Sequence, residues 1–194
     1  MAHPKPLEYG ETYHIYNRGI DRGTLFFEDR NYRHFLRLYA QHVTPIADTF
    51  AYCLLPNHFH FLVRIKEQGD LSGLPNLTGL VPSKRFSNLF NAYTKAVNKA
   101  YGRSGSLFQR PFGRSRVADD AYFARLVVYI HHNPQKHGLI DDYRHWVYSS
   151  YGALAGSRAT QLQRDEVLGW FGGRDSMLRI HEELVPALLP EDFE

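Results

Sequence analysis

The chain has 194 residues, with 43% hydrophobic and 14% aromatic content, which excludes a disordered chain and suits one core with appendages. A single cysteine, Cys53, excludes a disulfide framework and a multi-cysteine zinc site, and no apolar stretch reaches membrane-spanning length. Net charge is +3, and between Leu71 and Ala118 there are eight cations and no Asp or Glu. Those cations alternate with Phe86, Phe90, Tyr93, Tyr101, Phe108 and Phe112, the composition that phosphate neutralisation and base stacking require. The opening residues carry no charged segment followed by an apolar run, so the expected compartment is the cytoplasm.

In chain order, Thr12–Arg18 alternates like a strand and stops at Gly19. Asp29 is placed to cap a helix running to about Val43, with Phe35, Leu36 and Leu38 at helical spacing. Phe50–Leu55 and His58–Ile65 read as two strands joined tightly at Pro56-Asn57, an antiparallel hairpin. Lys66 to Pro82 reads as loop, Ser83 as the cap of a helix reaching Tyr101, and Arg114–Val117 as a short strand. Asp119 then caps a helix from Asp120 to about Asn133, and a weaker helical tail runs from Arg164 to Leu189, broken at Gly172-Gly173 and Pro186. Elements in this order predict an α+β fold, an antiparallel sheet with helices on its face and a helical C-terminal extension. The acidic end, with Glu182, Glu183, Glu191, Asp192 and Glu194, is a candidate to fold back over the basic face.

Within the second strand of the hairpin, His58 and His60 are one residue apart, so both imidazoles share a face while Phe59, Phe61 and Val63 take the other. Two imidazoles held this way form half of a divalent-metal site, or an ordinary polar pair on a half-buried strand; the pair alone leaves both open. His14 is a further imidazole if its strand lies beside that of His58. On the helix after Asp119, Phe123, Leu126, Val127 and Ile130 form an apolar stripe, with Tyr122, Arg125, Tyr129 and Asn133 on its flank. Tyr129 and Asn133 are four apart and therefore neighbours; His132 is a rival donor nearby, and Tyr93 and Tyr101 are rival nucleophiles.

Five blocks in order carry a family pattern: Tyr13–Gly19, Leu55–Val63, Gly105–Arg110, Tyr129–Gly138 and Trp146–Tyr151. Together they resemble the REP-associated tyrosine transposases, members of the HUH single-tyrosine transposases related to insertion sequence 200. The resemblance covers most of residues 10 to 155 and implies a ferredoxin/RRM-like HUH endonuclease domain over 1–155, followed by an extension over 156–194. It implies a metal-dependent single-stranded DNA endonuclease and strand transferase acting at or near hairpins through a covalent 5′-phosphotyrosine. Tyr129 matches the nucleophile, and His58 and His60 match the two metal-binding histidines. Asn133 stands where relatives carry a polar third ligand, and the implied metal is Mg²⁺ or Mn²⁺, with zinc open on ligand type. The expected contacts to single-stranded hairpin DNA are Arg18, Arg22, Lys84, Arg85, Arg110, Arg114 and Arg116, in a protein that is a monomer or a homodimer. The competing class is a nucleic-acid-binding module on the same kind of sheet without catalysis.

Overall fold

The alternation in Thr12–Arg18 and His58–Ile65 does form strands, β1 and β3, and they pair antiparallel at the centre of a four-stranded sheet. The computed structural model describes residues 5–71, 81–117 and 119–184. β2 (Ala47–Leu55) and β4 (Gly113–Val117) flank them in the order β2-β3-β1-β4, all antiparallel. With α1 (Asp29–His42) after β1 and α2 (Pro82–Tyr101) before β4, this is the βαββαβ pattern of ferredoxin-like folds.

Side-chain alternation sorts the sheet into two cores. Ile15, Phe59, Phe61 and Val63 face α1 and α2, meeting Phe35, Tyr39, Phe86 and Tyr93 in one continuous cluster. Burying rings such as Phe59 and Phe61 stabilises by about 1.5–3 kcal/mol each. The opposite face of β2 and β3, with Ala51, Cys53, Leu55 and Leu62, meets α3 (Asp120–Lys136). Beyond α3 come the short helix α4 (Tyr151–Ala155), α5 (Arg164–Phe171) and α6 (Arg174–Glu183). Val167, Phe171 and Met177 join the α3 core, so the last helices complete that layer.

Several boundaries differ from the sequence reading. β2 starts at Ala47, and a register shift between Thr49 and Ala51 hides the earlier residues from a strict alternation. Glu28, not Asp29, caps α1: its side chain accepts from the backbone of Asn31 while the Asn31 side chain accepts from the Glu28 N–H. α2 starts at Pro82, whose missing N–H is no loss in a first turn, so Ser83 lies inside the helix. α3 runs three residues past Asn133 and through Pro134, which is buried. The turn beyond closes on bonds from His137 N to Asn133 O (3.0 Å) and from Leu139 N to Pro134 O (2.9 Å). Gly172, at φ 77°, stops α5 as the sequence suggested, whereas Pro186, Leu189, Glu191, Asp192, Glu194 and loop residues 72–80 lie outside the described residues.

The turn after β1 fixes the approach to the site. Asp21 and Arg22 both sit in the left-handed region, at φ 54° and 59°, an uncommon pair for residues with side chains. The turn closes so tightly that a Cβ at Gly19 would run into the Gly23 carbonyl oxygen. Gly19 N donates to Asn57 O (2.8 Å) and Asn57 Nδ2 donates to Arg22 O (3.3 Å), which ties the turn to the start of β3. Gly19→Ala is therefore expected to destabilise the protein by about 1–3 kcal/mol, measured as a lower urea midpoint; unchanged stability would show that the turn opens freely.

Candidate active site

Strand register puts the site residues in rows. Tyr16 stands opposite His60, Arg18 opposite His58, and Gly113 opposite Tyr16, all on the α3 side. α3 crosses this face and lays the Tyr129 ring edge-on to His60, with centroids 5.6 Å apart at 83°. The His58 and His60 rings are 5.3 Å apart at 89°, and His137, just past α3, lies 4.9 Å from His58. Lys136 holds its Nζ 5.1 Å above the Tyr129 ring. His58, His60, Tyr129 and Asn133 are all buried.

Hydrogen bonds assign the imidazole nitrogens. The Asn57 side-chain oxygen can only accept, so His58 Nδ1–H donates to it at 2.7 Å and Nε2 carries the lone pair. His60 Nδ1 lies 2.9 Å from His14 Nε2. His60 Nε2 is buried with no hydrogen-bond partner among the described residues. Desolvation, with the neighbouring His14, His58, His137 and Arg18, holds the His60 pKa well below the usual imidazole range, and burial pushes His14 down to about 3. Both rings are therefore neutral at physiological pH, the form that ligates metal.

Asn133 Nδ2 donates to the Tyr129 carbonyl (3.0 Å), which leaves Oδ1 buried and without a partner among the described residues. His60 Nε2, His58 Nε2 and Asn133 Oδ1 are two imidazole nitrogens and an amide oxygen, donor types that suit a divalent cation. No group of three or more His, Cys, Asp or Glu side chains among the described residues is arranged to hold a metal.

The rivals fall elsewhere. His132 Nε2–H donates to His181 O (2.8 Å) and its ring stacks 3.8 Å from Tyr143, so it is turned toward α6. His14 meets His60 through a ring nitrogen, supporting that ring from behind. Tyr93 donates to Leu25 O (2.7 Å), and Tyr101 binds Glu28 and Asn31 at the start of α1.

The expected DNA contacts separate into groups. Arg18 and Arg22 line a cavity of about 430 Å³ beside Asn57, His58 and His137. Arg110 and Arg114 line a second concavity, of about 350 Å³, against α2, and Lys84 is exposed on the first turn of that helix. Arg85 instead donates to the carbonyls of Gln41 and His42 at the end of α1, and Arg116 is paired with Glu11. Both have partners more than 40 residues away, beyond the reach of a charge pattern.

Sequence reasoning gave no role to Tyr16, Lys136 or His137. Tyr16, half-buried, lines a cleft of about 340 Å³ that also touches His58 and His60. Its alternation with His14 was the available signal, but only the register places it opposite His60.

No family model matches the chain. A protein of Haemophilus influenzae named "Putative REP-associated tyrosine transposase" is 28% identical over 113 residues, 54% of this chain and 58% of that protein. The chain therefore spans under two thirds of that relative's length. A solved structure of a REP-associated tyrosine transposase bound to a REP hairpin superposes with a TM-score of 0.60, covering 79% of this chain and 84% of that one at 17% identity. The chain resembles the REP-associated tyrosine transposases.

Two of the blocks that carry the resemblance to REP-associated tyrosine transposases surround the site. The Gly105–Arg110 block bridges Phe108 to Gly19, and Gln109 N donates to Arg18 O (2.9 Å). The Trp146–Tyr151 block runs along β2, with Leu54 N donating to Tyr148 O and Trp146 Nε1 to Leu54 O, both at 2.9 Å.

Buried neutral histidines set an acid limit. The pKa values of His14, His60, His131 and His181 are all lowered, chiefly by burial, His14 to about 3 and His181 to about 4. The unfolded chain binds these protons first, so their stabilisation is complete above about pH 6.5 and is lost as pH falls from there toward the folded values. Each group contributes a slope of about 1.4 kcal/mol per pH unit within that window. Urea midpoints should drop steeply between about pH 6.5 and about pH 5; a flat profile would mean that the folded protein accepts charge at these rings.

Proposed function

We propose that the chain is a metal-dependent single-stranded DNA endonuclease and strand transferase that cuts at or near hairpins through a 5′-phosphotyrosine on Tyr129. The observation that carries this reading is the Tyr129 ring edge-on to His60, beside His58, at the end of the sheet rimmed by Arg18 and Arg22. The relative's name and the hairpin bound in the solved neighbour support the same substrate.

His58, His60 and Asn133 would hold Mg²⁺ or Mn²⁺, the nitrogen donors favouring Mn²⁺. The bound cation would withdraw charge from the scissile phosphate. A phenol has a reference pKa of about 10, and Lys136 Nζ lies 5.1 Å over the Tyr129 ring. The Tyr129 oxygen attacks phosphorus as the bond from phosphorus to the 3′-oxygen breaks. The phenol proton leaves to solvent, and the departing 3′-oxygen takes one up. The phosphotyrosyl bond keeps the phosphodiester's energy, so a 3′-hydroxyl reverses the step and joins strands without ATP. Arg18 and Arg22 neutralise the flanking phosphates, and the chain acts as a monomer or a homodimer.

Full-length protein incubated with hairpin-bearing single-stranded oligonucleotides and Mn²⁺ should give an adduct that survives SDS, lost on chelation and in Tyr129→Phe. Persistence of the adduct in Tyr129→Phe, with loss in Tyr16→Phe, would move the nucleophile to Tyr16. Hairpin binding with no adduct in either metal would favour the non-catalytic module.

If His60 ligates through Nε2, its Nδ1 must carry the proton and His14 must accept it, an orienting contact behind the ligand. His14→Leu is then expected to weaken Mn²⁺ binding about 10- to 100-fold, measured by calorimetry on protein shown to be folded. Unaltered affinity would reduce His14 to a core residue.

A further inference from the structure

The end of the sheet is open on two sides. Beside His58 and His60, the cleft of about 340 Å³ touches Tyr16, Asn17, Gln109 and Pro111. Asn17, Gln109 and Pro111 also border the concavity of about 350 Å³ on the α2 side, so the two form one track around the ends of β1 and β4. Gly113 makes room for the Tyr16 ring at that point: a Cβ there would overlap it.

The far concavity has a distinct chemistry. Its floor is aromatic: Phe90, Phe108 and Phe112 are mostly buried, with Phe90 5.2 and 5.4 Å from the other two. The Arg114 guanidinium lies 3.9 Å over Phe112, and its Nε is buried with no partner among the described residues. Burial lowers its pKa, so the cation is held at a cost that an anion would relieve. At the rim stand the exposed amides of Gln109 and of Asn91, whose Oδ1 accepts from Arg110 Nη2 at 3.4 Å; each amide carries donors and an acceptor. The Thr94 hydroxyl donates to Phe90 O (2.7 Å) and presents only acceptor capacity to the space. The Asn17 amide is occupied between Gln109 O and Arg18 N and serves as a tie. An aromatic floor, a stacked cation and paired amides within a volume at the low end of ligand pockets suit a planar heterocycle carrying a phosphate.

We propose that this concavity holds one unpaired nucleobase of the substrate strand, with Asn91 and Gln109 reading its edge and Arg114 meeting its phosphate. The assignment rests on the strand-cutting reading of the histidine cleft, because the track between them gives the strand its path. It makes these two amides the determinants of sequence preference at one position beside the cut.

The test is selection from a pool of randomised single-stranded oligonucleotides retained by the full-length protein, followed by sequencing. Wild type should enrich one base at a fixed position, and Asn91→Ala or Gln109→Ala should relax that position alone by roughly tenfold to a hundredfold. Both side chains are exposed, so neither change threatens folding. Full retention of the preference in both variants would overturn the pocket while leaving the strand reading intact. Strand retention with no preference at any position would also overturn the pocket. Failure of wild type to retain single-stranded DNA would overturn the strand reading and the pocket with it.

Discussion

Keeping the His60 imidazole neutral inside the protein is the constraint on which the rest of this site depends. The ring is 2% exposed, with one nitrogen against His14 and the other buried without a protein partner among the described residues. A lone pair buried in this way costs free energy unless something binds it. The surrounding fold supplies a cover, α3, and burial together with the neighbouring His14, His58, His137 and Arg18 disfavours a proton on the ring. A carboxylate here would raise the pKa and favour the protonated ring, whereas the buried neutral ring keeps its lone pair.

The cover must be held from outside, because the face beneath it carries polar rings in place of a full apolar stripe. A chain of hydrogen bonds does this, and each proton in it can be placed. His181 Nδ1–H donates to Met177 O (2.8 Å), so its Nε2 accepts from His131 Nδ1–H (2.8 Å). His131 Nε2 must then accept from the Ser150 hydroxyl (2.8 Å), whose oxygen in turn takes the Tyr52 N–H (2.8 Å). α3 is thereby tied to α6 on one side and to β2 on the other, two residues from Tyr129.

How much of this was legible follows from which residues act locally. β1 and β3 could be read to the residue, since alternation and the flanking Gly19 and Pro56-Asn57 are local signals. The shared face of His58 and His60 follows from period two alone. The end of α3 could not be read, because Pro134 argues for a stop that tertiary packing overrides. Tyr129 and Asn133 read as a flank, yet both are buried, Tyr129 with its ring against His60 on the sheet face that α3 covers. Tyr16, His14 and His137 join the site through strand register and a turn, neither of which one sequence encodes visibly. The same limit applied to charge: Arg85 and Arg116 belong to the basic stretch, but one caps α1 and the other pairs with Glu11.

The remaining cations fall into two groups, one of them from outside that stretch. Arg18 and Arg22 are held at the histidine cleft by a turn with two left-handed residues, a conformation that costs of order 1–3 kcal/mol per residue and persists only where packing enforces it. Arg110 and Arg114 stand on the other side of the sheet, across the gap where β4 begins late, at Gly113. A β4 extended by two residues would fill the space shared by Asn17, Gln109 and Pro111 and separate the two groups of cations. On the proposed reading, the short edge strand would let one strand of nucleic acid pass from the Tyr129 side of the sheet to the aromatic floor on the other. Phosphate contacts at both ends would hold its register, leaving the bases between them to be read.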